Sequence, residues 1–163
     1  MILNLQNQSQ LLDDWCWAAV TSSISFNYDA ASQWTQGELA GSLLDSSCSN
    51  INKSNAGSAP TVCNQQYDLQ KALTCSNNYA WVVEGNLTFN QISNQINSGW
   101  PICCQIYWDV YDQSHFIIIF GYNGSTIVIG DPDAGVCSID YNDLINGYRA
   151  GKWIRTFGTQ PAQ

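Results

Sequence analysis

The stretch HFIIIFGYNGSTIVIGDP, residues 115–132, constrains the fold more than any other part of the chain. Asn123-Gly124 is a strong short-range signal for a tight antiparallel hairpin. The arm before it, 115–122, is apolar at successive positions and not only at alternate ones. It therefore reads as a strand buried on both faces. The returning arm, STIVIG at 125–130, is stopped by Asp131-Pro132, because proline cannot continue a ladder.

The rest of the chain divides around this hairpin. PICCQIYW at 101–108 reads as a preceding strand, VCSID after the DPDAG break as a short strand, YNDLING as a short helix or turn, and KWIRTF at 152–157 as a last strand. Upstream the signals are helical. Asp14 is placed to cap a helix from about Trp15 to Phe26. TQGE at 35–38 has the capping-box pattern and starts a helix at Thr35 that ends near Leu44. Asn64 is placed to cap QQYDLQKAL, and TFNQ at 88–91 repeats the capping box for a helix stopped by NSG at 97–99. Helices first and an antiparallel sheet second is the α+β order. No repeat is present, and the loop at 46–62 is the one extended irregular stretch. Residues 1–163 are expected to form a single domain.

Charge narrows the partners. The net charge is −8 and only five residues are basic: Lys53, Lys71, Arg149, Lys152 and Arg155. Nucleic acid and anionic membrane surfaces both require clustered Lys and Arg, so neither is expected, and the longest apolar run, FIIIF, is far too short for a membrane span. The start, MILNLQNQSQ, has no basic region and does not read as a secretory signal. Seven cysteines are many for a reducing compartment, and the odd number leaves at least one unpaired. Cys48 and Cys63 flank a polar loop and are the first candidates for a disulfide. In the vicinal pair Cys103–Cys104 one side chain is expected to be buried and the other free to pair, with Cys75 or Cys137 as partner. One histidine and no C-x-x-C argue against a metal site.

The unpaired cysteine is expected to be Cys16, in DDWCWAAV. At the start of a helix, free backbone N–H groups and the helix dipole favour a thiolate. Asp13 and Asp14 oppose it, although a capping Asp14 would spend its charge on N–H groups. A thiolate nucleophile needs a base, and the only histidine is His115, at the start of the buried strand. The base needs an orienting group. A three-residue hairpin loop would set Ile117 opposite Asp131 and make His115 and Asp131 diagonal neighbours on one face. A strict two-residue loop would point them to opposite faces. Gln10, six residues before Cys16, is the candidate amide for an oxyanion hole together with the Cys16 N–H, with Gln6 and Gln8 as competitors. Singly, each residue has a plainer reading: a buried small thiol, a structural histidine, an aspartate in an Asp-Pro turn. Their order and their contexts favour the catalytic one.

Q-x5-CWAA at 10–19, HFIIIFGYNG and IVIGDPDAG together resemble the papain-like cysteine peptidases. The likeness is to the bacterial branch that holds avirulence-effector proteases and bacteriocin-leader (double-glycine) peptidases. It extends over roughly residues 6–157. It implies a papain-like fold, a catalytic Cys16, His115 and Asp131, Gln10 in the oxyanion hole and no cofactor. The implied partner is a protein or peptide substrate, and an inhibitor or immunity protein is a further possible partner. Leader peptidases usually accompany transporter segments, and none is seen here, so a free-standing effector or toxin, secreted or delivered into a target cell, is expected. A glutamine deamidase or transglutaminase-like enzyme would use the same triad. A catalytically inactive binding module would not need every triad position filled.

Overall fold

The computed structural model describes all 163 residues. In chain order the elements are α1 (Cys16–Tyr28), α2 (Gln36–Leu43), α3 (Leu69–Cys75), β1 (Tyr79–Glu84), α4 (Phe89–Asn97), β2 (Ile102–Trp108), β3 (Gln113–Asn123), β4 (Thr126–Asp131), β5 (Gly135–Asp140), α5 (Tyr141–Asn146) and β6 (Lys152–Thr159). Six strands form one antiparallel sheet in the order β1-β6-β2-β3-β4-β5. This is the α+β arrangement expected from the order of the signals.

Both faces of the sheet are covered, as the unbroken apolar run of β3 requires. Phe116, Ile118 and Phe120 pack with Cys103, Val128 and Phe157 against α1 and its neighbours. Ile117 and Ile119 pack with Ile127, Ile129, Cys104 and Ile106 against Ile92 and Ile96 of α4 and Leu144 of α5. Helix α1 is buried from Cys16 to Ser25. Its hydroxyls are satisfied within the helix or by the neighbouring chain: Thr21 donates to the Trp17 carbonyl and Ser23 to that of Ala19, while Ser22 accepts from Gln8 and Ser25 bonds Ser32. That is why a helix so rich in Ser and Thr survives in the interior. No helix is long and apolar enough to cross a membrane.

Several expectations need correction. Asp14 does not cap α1. Its N–H is held by Asn64 Oδ1 at 3.0 Å, and the N-cap is Trp15, whose side chain makes no cap bond. Trp15 is fully buried and its indole donates to the Cys63 carbonyl at 2.6 Å, so burial of the indole sets the helix entry. Asn64, occupied with Asp14, does not cap α3. Asp68 does, accepting from the Lys71 N–H at 2.8 Å, and the helix starts later than expected. Strand β1 was not expected. It is an edge strand whose partner, β6, is the last strand of the chain, so no hairpin signal marks it. Cys48 and Cys63 form a disulfide. Cys103 and Cys104 are both buried and both free, and the half-buried Cys75 and exposed Cys137 are free as well. A sheet covered on both faces leaves β2 no exposed side from which to pair.

Candidate active site

The hairpin that carries the site combines the two loop geometries considered above. The turn is tight, with Asn123 paired to Thr126, but the register shifts between Ile119 and Gly121, where Phe120 is the extra residue of a bulge. Below the bulge Ile118 pairs with Gly130, so Ile117 runs opposite Asp131. One bulged residue thus brings Asp131 to the same side as His115. The N-terminal residues fix it there. Leu3 N–H donates to the Phe120 carbonyl and Tyr122 N–H to that of Met1. The chain then runs along the end of β4, where Asn7 Nδ2 donates to the Asp131 carbonyl at 3.1 Å and Gln10 N–H to that of Pro132 at 2.9 Å. From there it enters α1 at Cys16. Residues 1–15 therefore strap α1, which begins at Cys16, to the strand that ends in Asp131.

His115 Nε2 lies 2.7 Å from Asp131 Oδ1. A carboxylate can only accept, so Nε2 carries the hydrogen. Nδ1 is then the nitrogen left for Cys16, whose thiol lies near enough to the ring to raise the imidazole's pKa. One face of the ring is covered by Trp108, with centroids 5.6 Å apart. Cys16 is 4% exposed and His115 8%, so the pair opens to solvent over a sliver only.

Asp131 is completely buried and is nonetheless well satisfied. Besides His115, Oδ1 accepts from the N–H groups of Asp133 (2.8 Å) and Ala134 (3.2 Å). Oδ2 accepts from the Tyr148 hydroxyl at 2.6 Å and from Arg149 Nη1 at 3.3 Å. Burial pushes the carboxyl up, but the hydrogen bonds from His115 and Tyr148, the His115 charge and the Asp133 N–H hold it well below the usual carboxylate range. Burial pulls the His115 imidazolium down, but the bond to Asp131 and the nearby Cys16 thiol, together with their charges, push it up to about 9. Burial and the Asp131 carboxylate push Tyr148 well up, so it remains a donor.

The missing side-chain cap on α1 has a chemical consequence. No side chain occupies the N–H groups at its first turn, which face the region of the thiol and remain open to an anion. Gln10 Nε2 donates to the carbonyls of Asp13 (2.6 Å) and Leu12 (3.3 Å), inside the loop that leads to Cys16. Its competitors are elsewhere. Gln8 is bonded to Ser22 and Gln36, and Gln6 is exposed and bonded to Asn4. The structure therefore brings Cys16, His115 and Asp131 together, with Gln10 in the adjoining loop. It adds Tyr148, Arg149 and Trp108, which sequence reasoning did not single out. Nothing in NGYRAG distinguishes a tyrosine that reaches a buried carboxylate from one that packs.

The largest cavity, about 660 Å³, is lined by Asn7, Gln8, Leu11, Gln36 and Lys53 among others and includes neither Cys16 nor His115. A second, of about 350 Å³, lies between Gln66–Leu69 and the sheet, bordered by Ser114, the neighbour of His115. No group of three or more His, Cys, Asp or Glu side chains is placed to hold a metal ion.

Similar folds occur in a C39-like peptidase from Bacillus anthracis and in the peptidase domain of Streptococcus ComA. The first has a TM-score of 0.63 at 15% identity, over 99% of this chain and 98% of that one. The second has a TM-score of 0.57 at 16% identity, over 96% and 97%. A double-glycine-motif protease of an AMS/PCAT transporter, solved with its leader peptide, has a TM-score of 0.53 at 14% identity, over 97% and 93%. No curated protein sequence matches the chain with significance. The sequence profile of the Peptidase_C39 like family matches residues 2–159, nearly the whole chain, and the protein belongs to that family of cysteine peptidases.

Proposed function

We propose that the protein is an endopeptidase that cleaves specific proteins or peptides through a Cys16–His115–Asp131 triad. The observation that carries this reading is His115, bonded through Nε2 to a buried carboxylate, with its other nitrogen unengaged and the Cys16 thiol near the ring. Asp131 fixes the ring and its tautomer. His115 takes the proton from Cys16, and the thiolate attacks the scissile carbonyl carbon. The oxyanion is met by the Cys16 N–H at the uncapped helix start and by Gln10 Nε2, one of whose hydrogens turns from the Leu12–Asp13 carbonyls. His115 passes the proton to the leaving amine, leaving a thioester on Cys16. Water, deprotonated by His115, then hydrolyses the thioester and restores the thiol. The cavity beside Ser114 has aromatic walls, Tyr67, Phe116 and Phe157, and polar groups from Gln105 and Arg155. It supports a peptide substrate with a side chain seated there. The disulfide suits an oxidising compartment and supports an effector or toxin that is secreted or delivered into a target cell, with an inhibitor or immunity protein as partner.

The test compares wild type with Cys16→Ala in bacterial and eukaryotic lysates under mild reduction, with peptides searched for new N-termini and for Gln→Glu conversion. New N-termini made by wild type and absent with the variant are expected. Conversion without cleavage replaces the peptidase reading with deamidation. Identical peptide sets overturn the role of Cys16.

A further inference from the structure

The five residues after α5 make an unusual turn. Tyr148 and Gly151 exchange both N–H···O bonds, each 2.8 Å, which closes a two-residue hairpin over Arg149 and Ala150. Both central residues are left-handed, with φ of 48° and 65°. Such turns normally use Asn-Gly or Gly, and a left-handed residue with a side chain is strained. The turn is also pinned from below. Trp108 Nε1 donates to the Arg149 carbonyl at 2.7 Å, and a Cβ on Gly151 would meet Ile106 at 2.5 Å. Strain retained inside rigid packing points to a task.

The task is legible in what the turn presents. Tyr148 is buried in the core beneath the sheet, and its hydroxyl reaches Asp131 Oδ2 at 2.6 Å. The Arg149 guanidinium bridges the same oxygen (3.3 Å) and Asp133 Oδ2 (3.0 Å). These are the only side-chain donors on the oxygen that His115 does not use. We propose that Tyr148, assisted by Arg149, is a positioning residue of the reaction. The pair clasps the outer oxygen of Asp131 so that the inner oxygen stays on His115 Nε2. This rests on the triad reading given above. Without the hydroxyl, Oδ2 keeps only the long contact to a guanidinium whose side chain is 45% exposed. The carboxylate is then held on one side only, by the Asp133 and Ala134 N–H groups that share Oδ1 with the imidazole, and its alignment on His115 loosens.

His115 is the only histidine, so its ring resonances are unambiguous. The experiment records the His115 Nε2–H proton by NMR and the rate at which iodoacetamide modifies Cys16 at pH 6, read by mass spectrometry of the Cys16 peptide. In wild type a protected, downfield Nε2–H signal and fast modification are expected. In Tyr148→Phe, which keeps the ring, the signal broadens or exchanges away and modification slows about tenfold, the scale of one hydrogen bond to a charged group. A Tyr148→Phe protein with unchanged signal and rate overturns the clasp, whatever its melting temperature. Should that variant fail to fold, Arg149→Gly decides. Glycine accepts the left-handed φ, so the turn persists while the guanidinium is gone. A weakened Nε2–H signal and slower modification support the clasp, and wild-type behaviour overturns it. A wild-type Cys16 that reacts at pH 6 like an ordinary peptide thiol removes the triad reading itself, and the clasp with it.

Discussion

At the scale of single residues, the site works by keeping charges in a place where burial alone would remove them. His115 has an ordinary value of 6.5 and is pushed up to about 9. A basic group raised on folding stabilises the native state fully below its unfolded value, and that contribution fades as pH rises through the folded one. His115 therefore stabilises the fold below about 6.5, and the effect is lost through about 9. Asp131 has the opposite sign. Held well below its usual range, it contributes at neutral pH and loses its contribution only in strong acid. NMR titration of the single imidazole is expected to show a midpoint near 9. In Asp131→Asn the burial remains while the Asp131 charge and acceptor go, so the midpoint falls below about 9. Either placement of the new amide sets an NH2 against existing donors, which costs about 1–3 kcal/mol of stability. Proteolysis slows by roughly a hundredfold or more. A midpoint that stays near 9 in this variant would remove Asp131 as the orienting group.

At the scale of elements, the decisive contact is between the N-terminal strap and the end of β4. Gly130 lies where a Cβ would meet Asn7 Oδ1 at 2.7 Å, and Asn7 holds the Asp131 carbonyl through its Nδ2. Gly130→Ala is expected to push Asn7 off and cost about 1–3 kcal/mol by overpacking. Cys16 modification should slow as well, because the strap that aligns α1 with Asp131 loosens. A folded variant with lower stability and unaltered Cys16 reactivity would show that the strap supports the fold but not the site. Much of this level is legible in the sequence. The Thr35 cap, the capping box at Thr88 and the hairpin turn at Gly124-Ser125, signalled by Asn123-Gly124, are local chemistry, and local chemistry is written in adjacent residues. The cap at Cys16 was misread because Asp14 and Asn64 satisfy each other across a long separation. The bulge at Phe120 is followed by Gly121, against which Ile2 packs. The docking of Met1–Leu3 onto β3 there is encoded by no local pattern. Cys16, His115 and Asp131 were singled out from residue types and order, whereas Tyr148 and Arg149 reach Asp131 only through tertiary placement.

At the scale of the molecule, the disulfide and Cys16, the proposed nucleophile, make opposite redox demands. The bridge between Cys48 and Cys63 closes a loop with a sequence separation of 15. Constraining such a loop in the unfolded chain is worth about 3 kcal/mol. The segment it anchors also grips both sides of the nucleophile. The carbonyl of Cys63 accepts from the Trp15 indole, Asn64 Oδ1 from the Asp14 N–H, and the Gln65 carbonyl from the Trp17 indole. Reduction of the bridge therefore frees the backbone that seats Trp15 and Trp17, between which Cys16 lies. Cys16 itself must be a thiol to react. Activity is expected to rise with reductant while oxidised Cys16 is recovered, and to fall again once the bridge opens. The Cys48→Ser/Cys63→Ser double variant removes the second effect. It should melt about 6–12 °C lower, from about 3 kcal/mol in a domain of this size. It should start with lower activity and then show only the rising limb. Titrating cleavage against dithiothreitol in both proteins checks this. A wild-type profile that climbs monotonically to full reduction, with the bridge shown open by mass spectrometry, would separate the bridge from the site and leave it a purely thermodynamic brace.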